Sequence, residues 1–156
     1  MNTSYLAVFI LITAGMLFSV LKKKLTVTAA LTGGLLAVIV FAGTGFTGIS
    51  LLAVFFMLGT GATGWKFNAK MKEGIAEDTQ GKRNAGQVFA NAGSAAILAV
   101  FALYNTGATN IVHLMIAGCF SAATADTLSS ELGNIYGRRY YNILSFKKCN
   151  AEQMER

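Results

Sequence analysis

Apolar residues in this chain come in long unbroken blocks, not at the spaced positions of a half-buried helix or strand. Residues 3–21 carry no charge. Lys22, Lys23 and Lys24 follow, and residues 25–65 then run for 41 positions without a charged side chain. Crossing a bilayer core takes about 20 apolar residues per helix. The first block therefore predicts one span and the second predicts two. The break in the second block is Gly43-Thr44-Gly45-Phe46-Thr47-Gly48, a glycine-rich turn. Its spans are expected at about 25–42 and 49–64. Residues 66–87 hold eight charges and belong in water. Residues 88–104 form a fourth apolar run, residues 105–110 a short polar turn, and residues 111–130 a fifth run that contains His113 and Asp126. Residues 134–156 are polar and basic.

The pattern predicts an all-α, polytopic membrane protein of about five transmembrane helices in one domain, residues 1–156. Four spans with a re-entrant fifth segment is the competing arrangement. Composition narrows the class further. Of the 156 residues 54% are hydrophobic and 13% charged, and there is no proline; mean hydropathy is +0.53. A soluble domain is about 25% charged, so an ordinary soluble protein is excluded. Disorder needs low hydrophobicity and high net charge, and proline-rich or collagen-like repeats need proline. A secretory signal is the alternative for residues 3–21, but a basic n-region and a small-residue cleavage site are missing. Two cysteines, Cys119 and Cys149, make neither a disulfide framework nor a zinc site.

Net charge is +6, and its placement matters more than its sum. All 13 Lys and Arg lie at 22–24, in 66–87, or in the tail, which are alternate loops of the five-span arrangement. Short loops rich in Lys and Arg mark the cytoplasmic side. The N-terminus is expected outside and the loop 66–87 and the tail 134–156 in the cytoplasm. That is a protein of the cell membrane, the inner one in a bacterium, with membrane lipid as partner and no nucleic acid.

Several polar residues stand where lipid tolerates them poorly. Asp126 is the acid inside an apolar run, and such residues usually face a bundle interior or a water cavity. It sits in Ser121-Ala-Ala-Thr-Ala-Asp126-Thr-Leu-Ser-Ser-Glu131-Leu-Gly-Asn134, a small and hydroxylic string. Glu131 is about 140° away on an ideal helix. If the helix ends near Gly133, the two carboxylates could hold Mg²⁺ together with substrate phosphates. The plainer alternative is that both cap a cytoplasmic helix end. Asn84, Gln87, Asn91 and Ser94 make one polar stripe down the fourth span. It serves either as interhelical hydrogen-bond glue or as the wall of a cytoplasm-facing site. Lys82 and Arg83 stand at that helix's N-terminus, where the dipole favours anions. Arg138 and Arg139 read as a positive-inside signal or as bidentate phosphate ligands. Gly59-Thr-Gly61-Ala-Thr-Gly64 spells G-x-G-x-x-G, but it ends a membrane span instead of joining a strand to a helix, so close packing is the better reading. His113 reads as a satisfied polar contact, and Trp65 as an interfacial anchor.

Lys82, Arg83, Asn84, Asp126, Glu131, Arg138 and Arg139 converge on one membrane face. Cations, carboxylates and amides at a lipid boundary suit a substrate with a charged head and an apolar tail, and phosphoryl transfer fits such a set. No P-loop and no soluble-kinase motif occurs. Two rivals stay open: a small transporter with Asp126 as an ion or proton relay, and a non-catalytic membrane fragment that associates through small-residue faces.

Three motifs carry a resemblance. Gly81-Lys-Arg-Asn-Ala-Gly-Gln-Val-Phe-Ala-Asn91, Ala125-Asp-Thr-Leu-Ser-Ser-Glu-Leu-Gly133 and Asn134-Ile-Tyr-Gly-Arg-Arg-Tyr-Tyr-Asn-Ile-Leu144 resemble the integral membrane family that includes animal transmembrane protein nineteen and plant phytyl-phosphate kinase. The similarity runs from about Leu25 to Lys148. It implies nucleotide-dependent phosphorylation of an isoprenyl monophosphate to the diphosphate, with CTP favoured in the plant member. Asn84 and Asn91 match the family's amide motif, Asp126 and Glu131 its acidic motif, and Arg138 and Arg139 its basic one; from the chemistry of the residues, Asp126 and Glu131 are the expected catalytic and Mg²⁺-holding residues. Lys82, Arg83, Asn84, Asn91, Arg138 and Arg139 are the expected substrate and nucleotide contacts. Members usually continue past the tyrosine-rich motif with further spans, whereas this chain stops at Arg156, so the resemblance implies a short form.

Overall fold

The uncharged blocks fold as helices. The computed structural model describes residues 3–66, 82–136, 140–141 and 148–149. Helix α1 is Thr3–Leu21, α2 is Val27–Gly64, α3 is Ala85–Tyr104 and α4 is Thr109–Tyr136. A 3₁₀ turn, Thr106–Ala108, joins the last two. A small antiparallel pair, β1 Tyr140–Tyr141 with β2 Lys148–Cys149, follows α4. All four helices are long and apolar enough to cross a membrane. The chain is an all-α polytopic membrane protein.

Helix α2 explains how four helices make about five spans. Its 38 residues would reach about 57 Å if straight, nearly twice the roughly 30 Å hydrocarbon core. It is not straight. Gly45 has φ 60° and ψ −143°, a conformation closed to residues with a Cβ. The chain folds back there. A Cβ on Gly48 would stand 2.9 Å from Val40 Cγ1, although eight helical residues should separate the two by about 12 Å. At the far end, a Cβ on Gly64 would stand 3.0 Å from Lys24 Nζ, so the end of α2 returns to its beginning. Residues 27–44 and 46–64 are thus two limbs of a helical hairpin, and the turn lies inside the expected 43–48 break. A kink frees carbonyls that lipid cannot satisfy. Thr44 O accepts from His113 Nε2 at 3.1 Å; a carbonyl only accepts, so Nε2 carries the proton. His113 is the satisfied polar contact that its isolation suggested.

The tightest packing is between α2 and α3. Helix α3 buries Ala92, Gly93, Ala95, Ala96, Ala99 and Ala102. Those small side chains let backbones approach closely, and at Gly43 no Cβ would fit against the Ala99 carbonyl. Leu36, Val40, Phe55, Val112, Ile116 and Phe120 complete the core with α4. Helix α1 is peripheral and buries only Val8 and Ser19. Buried and half-buried hydroxyls inside the spans bond to their own helices: Ser19 Oγ donates to Gly15 O at 2.6 Å, Thr44 Oγ1 to Val40 O at 2.6 Å and Thr124 Oγ1 to Phe120 O at 2.6 Å.

Several boundaries differ from the sequence expectation by a few residues, and three of the shifts have a clear physical cause. The first limb starts at Val27, because Thr26 Oγ1 caps it by accepting from Ala29 N. Helix α3 starts at Ala85, three residues early, because Asn84 and Gln87 form a capping box. Helix α4 runs on through Gly133 to Tyr136 instead of ending near 130. One interior glycine costs a helix only about 1 kcal/mol, too little to stop it.

Candidate functional site

Among the described residues, Lys24, Lys66, Lys82 and Arg83 meet at one end of the bundle, opposite Gly45. Arg83 N donates to Lys24 O at 3.0 Å, and Thr26 N donates to Arg83 O at 3.1 Å. This parallel bridge between Leu25 and Arg83 sets the N-termini of α2 and α3 side by side, so two positive dipole ends share one face. The ends of α2 and α4 meet there too. Trp65 Nε1 donates to Tyr136 Oη at 3.1 Å, and Lys66 Nζ lies 4.8 Å from the centre of the Tyr136 ring. The phenol of Tyr136 is held below its ordinary pKa, first by the Trp65 hydrogen bond and then by Lys66.

Arg83 is held by its backbone, and its side chain turns inward along the second limb. Phe55, Gly59 and Thr63 are spaced i, i+4, i+8 and share one face of that limb. The guanidinium lies 6.0 Å from the Phe55 ring centre and donates to Thr63 Oγ1 at 3.3 Å. A Cβ on Gly59 would stand 2.8 and 2.9 Å from its two terminal nitrogens. Gly59 therefore makes room for a cation, where the G-x-G-x-x-G run suggested only helix packing.

Beside Arg83 opens a cleft with a cavity volume of about 180 Å³, bounded by α1, both limbs of α2 and α3. Its walls are apolar, with Leu11, Ile12, Met16, Leu52 and Phe56 among them. Among the described residues, Arg83 is the one ionisable residue in the lining, and Ser19 and Asn91 are the other polar ones. A largely apolar concavity with a few convergent polar groups is the usual form of a small-molecule site. An arginine at its polar end suits an anionic head group.

The structure separates the expected site residues into groups. Lys82 and Arg83 lie half-buried at the basic end, and Asn91 is half-buried in the cleft wall. Asn84 is exposed, and its side-chain oxygen is engaged as the α3 cap, accepting from Gln87 N at 2.9 Å. Ser94, the last member of the polar stripe, is exposed. Asp126 is exposed on α4 while its neighbour Thr127 is buried, and Glu131 is half-buried. Arg138 and Arg139 lie outside the described residues. Because α4 continues past Gly133, Asp126 and Glu131 stay about 140° apart on one helix. A single Mg²⁺ held by both does not fit this arrangement, and among the described residues no three His, Cys, Asp or Glu side chains gather as a metal site. Sequence reasoning missed Lys24, Thr63 and the cleft itself. Only the glycine spacing 59–64 hinted at the cation seat.

Comparison with known proteins agrees with this architecture. The chain is 29% identical over 140 residues to Protein VTE6, chloroplastic, of Arabidopsis thaliana, an alignment covering 85% of this chain and 42% of that protein. It thus spans less than half the length of the curated relative it matches. No solved structure matches. A family model described as integral membrane protein DUF92 matches residues 10–151, nearly the whole of the spans and the basic end described above, and the chain belongs to that family.

Proposed function

We propose that this protein binds a phosphorylated amphiphile with a linear apolar tail and takes part in its phosphorylation, as a nucleotide-dependent prenyl-phosphate kinase. The observation that supports this best is the apolar cleft with Arg83 at its polar end. The tail lies in the cleft, and the monophosphate head meets the Arg83 guanidinium and the paired N-termini of α2 and α3. In the reaction a phosphate oxygen of the prenyl monophosphate attacks the terminal phosphorus of the nucleotide, CTP in this reading. A P–O–P bond forms, and the bond to the nucleoside diphosphate breaks. Lys82, Arg138 and Arg139 balance the phosphate charge, Asn84 and Asn91 orient substrate or nucleotide, and Asp126 and Glu131 supply carboxylates on α4. By the positive-inside rule the basic end, and so the reaction, faces the cytoplasm. The similarity of motifs to the family that includes plant phytyl-phosphate kinase agrees with this chemistry.

The test uses detergent-purified protein with geranylgeranyl monophosphate, with and without CTP and Mg²⁺. Geranylgeranyl phosphate should raise the melting temperature, and Arg83→Gln should weaken its binding by about tenfold, the usual scale for a lost charge-assisted contact. Diphosphate should form with CTP and fail to form in Asp126→Asn. Equal binding by wild type and Arg83→Gln would remove the head-group assignment. Full turnover by Asp126→Asn would remove that carboxylate's role.

A second reading, association in place of catalysis, draws on one observation. Gly118, Ser121, Ala122, Ala125 and Asp126 are all exposed along α4, a small-residue face of the kind that pairs helices in membranes. Crosslinking from Ser121→Cys in membranes, with no ligand response in the purified protein, would favour it.

A further inference from the structure

We propose that Gly15 of α1 sets which tail lengths the cleft accepts. This rests on the reading of the cleft as a site for a phosphorylated amphiphile, and it goes beyond that reading by naming the position that discriminates between substrates. Gly15, Gly33 and Gly34 line the cleft, Gly59 lies beside it under Arg83, and their surroundings separate the closed places from the open one. On the first limb, a Cβ on Gly33 would stand 3.5 Å from Val88 Cγ1, an ordinary contact, and Gly34 is covered by the Met16 side chain. On the second limb, Gly59 is covered by Arg83. Gly15 also lines the cleft, but it is exposed at the open mouth, where a Cβ would meet nothing within 4 Å.

The position of Gly15 along α1 gives it this role. Ser19 lies level with the polar end, because its carbonyl accepts from Lys24 N at 2.8 Å and Leu25 N at 3.2 Å. Gly15 is one helical turn farther from that end, and Leu11 one turn beyond, roughly 12 Å from Ser19 in all. A chain whose phosphate meets Arg83 must cross Gly15 to reach the far end of the lining, formed by Leu11, Ile12 and Ala37. A short tail ends before it; a long tail passes over it. Helix α1 is peripheral and Gly15 is exposed, so a side chain added here narrows the cleft mouth without disturbing the core.

The experiment compares geranyl, farnesyl and geranylgeranyl monophosphate binding to wild type, Gly15→Leu and Ile12→Ala. Gly61→Leu is the control, since Gly61 is exposed, has open space around it and lies outside the cleft. Gly15→Leu should weaken geranylgeranyl phosphate by about tenfold or more while geranyl phosphate changes less than about twofold. Ile12→Ala should shift preference the opposite way, toward longer tails, and it keeps the proposal testable if Gly15→Leu does not fold. Gly61→Leu should match wild type for all three. Unchanged length preference in both cleft variants, with wild type binding normally, overturns the role of Gly15 alone. Failure of wild type to bind any of the three overturns the amphiphile reading beneath it.

Discussion

The α2–α3 and α1–α2 contacts both place glycine at a helix surface, and they use it in opposite ways. At Gly43 the missing side chain lets two backbones touch, and the Ala99 carbonyl occupies the space a Cβ would take. At Gly15 the missing side chain leaves space empty. The first interface is closed and lined by alanine. The second is open, apolar and ends at a cation. In a membrane both look alike from composition, because lipid, core and ligand cleft all accept the same side chains. What separates them is whether something stands within contact distance of the glycine.

Gly43→Ala is the strongest way to break that contrast. Its methyl group meets a backbone carbonyl that cannot turn aside, so α2 and α3 must separate. A cost of about 3 kcal/mol is expected, the upper part of the overpacking range, read as a lower midpoint in detergent-induced unfolding. A variant as stable as wild type would mean that the interface is looser than described.

Gly59→Ala should have a smaller effect on the fold and the opposite pattern. The methyl group meets the terminal nitrogens of a flexible side chain, and alanine favours a helix over glycine by about 1 kcal/mol. Stability should therefore hold or rise, while binding of geranylgeranyl phosphate falls by about tenfold as Arg83 is pushed from its seat. Loss of stability together with binding would place Gly59 with Gly43, as a packing glycine.

The smallest effect is expected at the rim. The Trp65 hydrogen bond and Lys66 depress the pKa of Tyr136. An acid with a depressed folded pKa gains stability above its unfolded value, about 10 for tyrosine, and loses that gain as pH falls through the folded value. Nothing is contributed at neutral pH. The phenolate absorbance removed by Tyr136→Phe should titrate below the ordinary tyrosine range, and Trp65→Phe should move it back up. An unshifted midpoint in wild type would argue that the ends of α2 and α4 do not meet.

Much of this was legible in the chain before its structure. The uncharged stretch 25–65 is too long for one span and has one glycine-rich break, so a reversal near Gly45 follows from length alone. The gathering of Lys22, Lys23, Lys24, Lys66, Lys82 and Arg83 at one end follows from the alternation of the loops. The direction of Arg83 did not follow, because a cation beside a helix N-terminus reads the same whether it points to water or into the bundle. The passage of α4 through Gly133 was also hidden, since the cost of one glycine is outweighed by its neighbours. The cleft left no pattern, as its walls share the residue types of the lipid-facing surface.

The bridge between Leu25 and Arg83 has an evolutionary consequence. Position 83 is fastened by its own peptide group, to Lys24 and Thr26, so this backbone bridge does not depend on which side chain grows from it. A lineage could exchange the guanidinium for an ammonium, an amide or a carboxylate and keep the same bundle. The charge of the acceptable head group would change while the architecture stayed put, which is how one helical frame can diversify its lipid chemistry by single substitutions.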